Sequence, residues 1–263
     1  MLDATCDHVV LFDAVGTVIQ PDPDVVSVYE QLGRAYGSSL STSELKLRIG
    51  QAREKYFNVC PASAVLQDAQ GEVELATGDL VSSDEIELRL WRQLVVEVFN
   101  EVPDSIRLFE ELWGHFSLPQ HWRLYEDAAG CWDRLRARGY LIGLASNFDS
   151  RLLQLCDSIP LLGTADFVFQ SASVGFRKPS PEFYGIVEKE LRESIGSSAA
   201  GGLRIYMVGD DLVNDCLGPD RAGWSGVWLN RSQESSQSNW SSARGTDGFV
   251  QVASLTQFAA RLT

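Results

Sequence analysis

Residues 8–18 read HVVLFDAVGTV. The run HVVLF (8–12) is continuous rather than alternating, stops at Asp13, and is followed by a turn containing Gly16. A strand without alternation has both faces covered, as in a parallel sheet flanked by helices. Four further runs of this kind lie far downstream: YLIGLA (140–145), DFVFQ (166–170), LRIYMV (203–208) and GVWLN (226–230). Helical patterns at 128–138, 149–157, 180–194 and 213–222 lie between them, with a last short helix expected at 253–262. Alternating strands and helices predict an α/β core around a parallel sheet.

Between the first run and the second the pattern is helical: 23–36, 42–58, 83–101 and 104–115. Trp91, Leu94, Val95, Val98 and Phe99 recur at helical spacing, and Ser82-Ser83-Asp84-Glu85 supplies capping residues. Residues 1–18 and 123–263 are therefore expected to form the core, and 19–122 an inserted helical domain. Residues 60–81 are expected to be a long loop within the insert. The Ser-rich stretch 231–247 reads as a surface loop.

The chain has 263 residues, 44% hydrophobic and 22% charged, enough apolar material for a large core. Its 22 Lys+Arg against 36 Asp+Glu give a net charge of -14. Such a surface repels phosphate backbones and anionic lipid, which argues against nucleic-acid and membrane-surface partners. The five cysteines (Cys6, Cys60, Cys131, Cys156, Cys216) are odd in number and without a C-x-x-C pair. They indicate reduced thiols and, with an acidic N-terminal stretch unlike a signal peptide, a cytoplasmic protein.

In an open α/β sheet ligands bind beyond the carboxyl ends of the strands. The residues just after the runs are Asp13, Ser146 and Asn147, Lys178, and Asp210 and Asp211 with Asp215. Several carboxylates gathered in one crevice repel each other and favour a divalent cation, and all-oxygen ligands suit Mg²⁺. His115 and His121 have no neighbours at metal-ligand spacing and read as ordinary surface histidines. Asp149 reads as the cap of the helix after Asn147.

Four segments, LFDAVGTV, LASNFDSR, GFRKPSPEFY and VGDDLVNDCLGPDRAG, resemble in order and spacing the motifs of the haloacid dehalogenase (HAD) superfamily. SNFDSR, and the lack of a second acid in the first segment, are similar in particular to the haloacid dehalogenase-like hydrolase domain-containing protein 3 group. The resemblance covers the whole chain. It implies a Rossmann-like HAD core with an inserted α-helical cap domain, and a Mg²⁺-dependent hydrolase acting on a small phosphorylated metabolite. By position, Asp13 would be the nucleophile that carries an aspartyl-phosphate, and Thr17 would orient its loop. Ser146 and Asn147 would bind phosphoryl oxygens, while Lys178 would neutralise their charge and restrain Asp13. Metal ligands would be Asp13, the Val15 carbonyl, Asp210 and, through water, Asp215; Asp211 would stand one step back or face the cap.

One departure stands out: the family's phosphatases carry a second aspartate two residues after the nucleophile, and here that place is Val15. The resemblance then implies substrates with good leaving groups, such as acyl or aryl phosphates. Two alternatives follow from the same valine: a weakly active or inactive protein that binds a metabolite or partner, and, less favoured, a 2-haloacid dehalogenase. Against the latter, a dehalogenase would gain nothing from a cluster of extra carboxylates beside its nucleophile.

Overall fold

The computed structural model describes residues 7–57, 66–67, 73–74, 80–196, 202–232 and 250–262. The described chain divides into two compact units: Met1–Gln20 with Arg123–Thr263, and Pro21–Trp122. Two short strands, β2 (Ile19–Pro21) and β5 (Trp122–Leu124), pair where the chain leaves and re-enters the first unit.

The first unit is built on a parallel sheet of six strands. These are β1 (Asp7–Phe12), β6 (Leu141–Ser146), β7 (Phe167–Gln170), β8 (Leu203–Gly209), β9 (Ser225–Leu229) and β10 (Val250–Val252), in the order β10-β9-β8-β1-β6-β7. β1 lies at the centre, Val9 facing Leu141 on one side and Ile205 on the other. Val9, Val10 and Leu11 have no exposed surface, which is why consecutive positions of this run are apolar without alternation. The chain builds outward from β1 through β6 and β7, then crosses back to β8. The strand order therefore reverses between β1 and β8, where a crevice opens at the carboxyl edge.

Helices cover both faces. α8 (Pro181–Ile195) starts with the Ser180 side chain accepting the Glu182 N–H, has Pro in its first turn, and ends at Gly196 with φ 68°. Its Phe183, Tyr184, Val187 and Leu191 pack with Leu11, Ile205 and Met207 in one core cluster. On the other face Phe12 meets Trp132 of α5 (Ala128–Arg136) and Phe258 of α10 (Leu255–Arg261) edge to face. Each such side chain contributes about 1.5–3 kcal/mol of burial. α6 (Arg151–Ser158), α7 (Ser171–Val174) and α9 (Gly218–Arg221) complete this unit.

The second unit holds α1 (Val25–Ala35), α2 (Thr42–Phe57), α3 (Asp84–Val98) and α4 (Ser105–Ser117) around Leu45, Leu94, Val98, Phe99, Leu108 and Leu112. Asp24, Ser83 and Asp104 accept backbone N–H groups at the starts of α1, α3 and α4. Trp91 packs against this core, its ring 4.7 Å from that of Phe57. Most of the expected loop at 60–81 lies outside the described residues, but β3 (Leu66–Gln67) and β4 (Val73–Glu74) within it pair antiparallel. Most of 231–247 is likewise outside them.

Several local expectations need correction. β10 was not expected, because three residues beside a polar stretch carry no periodic signal. The helix expected at 213–222 is a π-helical turn, Leu212–Leu217, followed by the single turn α9. His115 and His121 are not independent surface groups. α4 ends at Leu118 in an extended conformation and a 3₁₀ turn at Pro119–His121 reverses the chain, stacking the two rings 3.7 Å apart.

No helix among the described residues is long and apolar enough to cross a membrane. Cys131, Cys156 and Cys216 are buried free thiols, and burial pushes Cys131 up to about 12 and Cys156 to about 11, so neither is ionised near neutrality. Cys6 and Cys60 lie outside the described residues.

Candidate active site

Three of the sequence-derived carboxylates meet at the crevice: Asp13, Asp210 and Asp215 each place an oxygen within 4.8 Å of the other two. Asp13 follows β1, its N–H still bonded to the Val208 carbonyl (2.8 Å), so the sheet fixes its backbone. The chain then turns so tightly that the Ala14 carbonyl accepts from Val18 and Ile19 N–H groups, both at 2.9 Å. Gly16 holds φ at 87°, and a Cβ there would lie 2.3 Å from Asp210 Oδ2. Glycine is needed twice over, for the turn and for the close approach of the carboxylate. Gly209 serves the second purpose for Asp215, whose Oδ2 would lie 2.0 Å from an added Cβ.

Asp215 is carried by the π-helical turn. The Asp211 carboxylate caps that turn, Oδ1 accepting from Val213 N–H (2.9 Å) and Asn214 N–H (2.8 Å), while the Asp211 N–H donates to Asp215 Oδ2 (3.1 Å). Asp211 therefore sets the position of Asp215 rather than joining the cluster, a role its place beside Asp210 does not reveal in sequence.

Lys178 lies among these acids with its side chain 1% exposed. Its ammonium has three hydrogens and three acceptors: Asp13 Oδ1 at 2.9 Å, Asp215 Oδ1 at 2.6 Å and the Ala145 carbonyl at 2.8 Å. Burial alone would depress its pKa, but Asp13 and Asp215 outweigh that and hold it above the ordinary lysine value. Asn147 locks the segment that carries it, accepting from Lys178 N–H (2.7 Å) and donating to the Lys178 carbonyl (2.9 Å). The Asn147 side chain thus spends one donor and its acceptor on Lys178, leaving its second amide hydrogen and its backbone N–H to meet a ligand. Ser146 ends β6, buried at the same edge. The Thr17 hydroxyl is buried and has no hydrogen-bond partner among the described residues. Asp149 accepts the Arg151 N–H at the start of α6 and grips the same residue's guanidinium at 2.8 and 2.7 Å, an ion pair not read from the sequence.

The donor set fits a hard divalent cation. Desolvation, then the charges of Asp13 and Asp211, push the Asp210 pKa up to about 7. Asp210 is itself exposed, so the neighbouring carboxylates are the firmer cause. Asp215 is raised well above the usual carboxylate range by burial, partly offset by Lys178. A cation among these oxygens would relieve the repulsion, and Mg²⁺ accepts such ligands.

This electrostatic strain has a measurable sign. The folded protein holds the Asp210 proton more tightly than the unfolded chain does. Without metal, stability from this group is complete below the ordinary carboxylate pKa and is lost as pH rises through about 7. A proton and a divalent cation would compete for the same oxygen, so the affinity measured with Mg²⁺ as the probe is expected to rise between pH 6 and 7, by up to roughly tenfold. Calorimetric titrations in two buffers of different ionisation heat check this through the proton released; an affinity flat with pH contradicts it.

The family model described as haloacid dehalogenase-like hydrolase matches residues 8–223. The chain belongs to that family. Among curated relatives, it is 29% identical over 138 residues to mouse haloacid dehalogenase-like hydrolase domain-containing protein 3, covering 51% of this chain and 52% of that protein. It is 27% identical over 171 residues to ribulose-1,5-bisphosphate 5-phosphatase of Halopiger xanaduensis, covering 64% and 68%. Among solved structures, the magnesium-bound HAD-hydrolase YfnB of Bacillus subtilis aligns with a TM-score of 0.66 at 17% identity, covering 97% of this chain and 98% of that one. L-2-haloacid dehalogenase of Xanthobacter autotrophicus aligns at 0.61 and 18%, covering 98% of each. At these identities the structures establish a shared fold: the parallel Rossmann-like α/β core. In this HAD-like hydrolase the four motif segments quoted from the sequence all contribute to one crevice.

Proposed function

We propose that this chain is a Mg²⁺-dependent phosphatase-type hydrolase that acts through Asp13 on small phosphorylated compounds with good leaving groups. The observation that carries the reading is the placement of Lys178 between Asp13 and Asp215, beside the exposed Asp210. A buried lysine bonded to the nucleophile, together with a carboxylate cluster suited to a cation, is machinery for anionic substrates. The relative named as a ribulose-1,5-bisphosphate 5-phosphatase and the magnesium-bound structural neighbour support it.

Lys178 holds Asp13 Oδ1, which leaves Oδ2 as the attacking atom. Attack on phosphorus forms the Asp13 Oδ2–P bond as the bond to the leaving group breaks, its electron pair departing with the leaving oxygen. Attack by water on the aspartyl-phosphate then releases phosphate and restores the carboxylate. The Ser146 hydroxyl and the Asn147 N–H are donors available for phosphoryl oxygens, and the buried Thr17 hydroxyl is placed to orient the loop. Mg²⁺, when held by Asp13, Asp210, the Val15 carbonyl and, through water, Asp215, supplies positive charge against the phosphoryl group.

Val15 has no proton to donate, and general acid–base assistance is typically worth ~10²–10⁴ in rate. A carboxylate or phenolate departs without that help and a sugar alkoxide does not, hence the substrate class. The test is an assay of an acyl phosphate, an aryl phosphate and a hexose phosphate, with and without Mg²⁺. Turnover of the first two that needs the metal supports the reading. No turnover on any of them would favour the binding-protein alternative, and release of halide from a 2-haloacid would favour the dehalogenase.

A further inference from the structure

We propose that Arg231, seated by Asp127, is a positioning residue for the nucleophile loop. The proposal builds on the reading of Asp13 as nucleophile. Arg231 stands just past β9, at the same carboxyl edge of the sheet as Asp13. Its guanidinium grips Asp127 with two parallel bonds, Nη1 to Oδ2 and Nη2 to Oδ1, both 3.0 Å. The second nitrogen, Nη2, also donates to the Thr17 carbonyl at 2.8 Å. That carbonyl belongs to the turn that begins at Asp13.

The surroundings keep this fork in place. Asp127 Oδ2 also accepts the Leu255 N–H (2.9 Å), tying the fork to the start of α10. The guanidinium lies over the Tyr125 ring, 3.9 Å from its centroid, and the Tyr125 N–H donates to the Val18 carbonyl at 2.9 Å. The turn after Asp13 is therefore clamped at two consecutive carbonyls, Thr17 by Arg231 and Val18 by Tyr125. Within the turn, the Ala14 carbonyl accepts from the Val18 and Ile19 N–H groups and the Ile19 carbonyl from the Gly16 N–H. An arginine suits this place because one planar group serves a carboxylate and a carbonyl at once, which a lysine ammonium cannot do in the same geometry.

Misplacing reacting groups by about 1 Å can cost ~10² in rate without changing what binds. The clamp should therefore act on kcat rather than on KM. The experiment compares wild type with Arg231→Lys and Arg231→Gln, using an aryl phosphate with saturating Mg²⁺. It reads kcat, KM and thermal midpoint, and hydrogen exchange of the backbone amides at 14–19.

Both variants are expected to lose roughly ten- to hundredfold in kcat, with KM within about twofold. Faster exchange is expected to be confined to 14–19, and the lysine is not expected to rescue. An unchanged kcat with unchanged exchange, full rescue by lysine, or a loss of kcat with exchange raised across the whole sheet would each overturn the proposal. If wild type itself does not turn over, the proposed function fails, and the exchange pattern still decides the clamp: confined acceleration supports it and uniform or absent acceleration overturns it.

Discussion

Replacing Asp13 with asparagine is expected to reduce turnover of acyl and aryl phosphates by at least ~10⁴-fold while leaving the fold intact. The substitution is isosteric, and the amide oxygen can still accept from Lys178 Nζ, now 2.9 Å from Asp13 Oδ1. What disappears is the anionic oxygen proposed to attack phosphorus, and an amide is no substitute nucleophile. The buried ammonium also loses one of its two carboxylate partners, which leaves Asp215 to neutralise it. A modest fall in thermal midpoint should therefore accompany the loss of rate. Steady-state kinetics beside a thermal melt separate the two. A variant that keeps a tenth or more of wild-type turnover would remove Asp13 from the reaction.

The second large effect runs in the opposite direction. Val15→Asp is expected to raise turnover of a hexose phosphate by ~10²–10⁴, and of an aryl phosphate by less, since there only the second step gains. The added carboxyl can protonate an alkoxide as it leaves and then activate water. A phenolate needs only the second service. Val15 is half-buried in the turn, bridged to Ile19, so the new side chain enters from a backbone that the sheet and Gly16 already fix. Melting and Mg²⁺ titration establish that the variant folds and binds metal. If it does both and gains nothing on the hexose phosphate, the missing acid is not what limits the wild-type site.

The sheet was legible where burial is two-sided. β1, β6, β7, β8 and β9 are continuous apolar runs because parallel strands are covered on both faces, and a run of this kind is visible at a glance. β10 is three residues long and rests on β9 alone, so composition says little about it. Of the site, the rule that collects residues after each strand reached Asp13, Ser146, Lys178 and Asp210. Applied to the fifth run, GVWLN, the same rule reaches Arg231, which the polar and Ser-rich stretch beginning there concealed. The hydrogen-bond partners of Asn147 and Asp211 were out of reach for another reason. Each spends its side chain on backbone groups of its own or a neighbouring loop, and a hydrogen bond to a carbonyl or N–H leaves no mark on the partner's residue type. The hold of Lys178 on Asp13 was implied by the resemblance, but its burial against Asp215 and the Ala145 carbonyl was not, because three acceptors require β1, β6 and the Asp215 turn to be already in place.

A site with a nucleophile and a lysine but no general base should complete its first step faster than its second. The most direct test of this account is the intact mass of the wild-type protein, acid-quenched during turnover of an acyl phosphate with Mg²⁺ and followed by peptide mapping. The expected result is a single phosphoryl adduct on the peptide containing Asp13, present during turnover, lost as substrate is exhausted, and absent in Asp13→Asn. Turnover that proceeds with the Asp13 peptide never modified, or an adduct that survives the Asp13→Asn substitution, would contradict it.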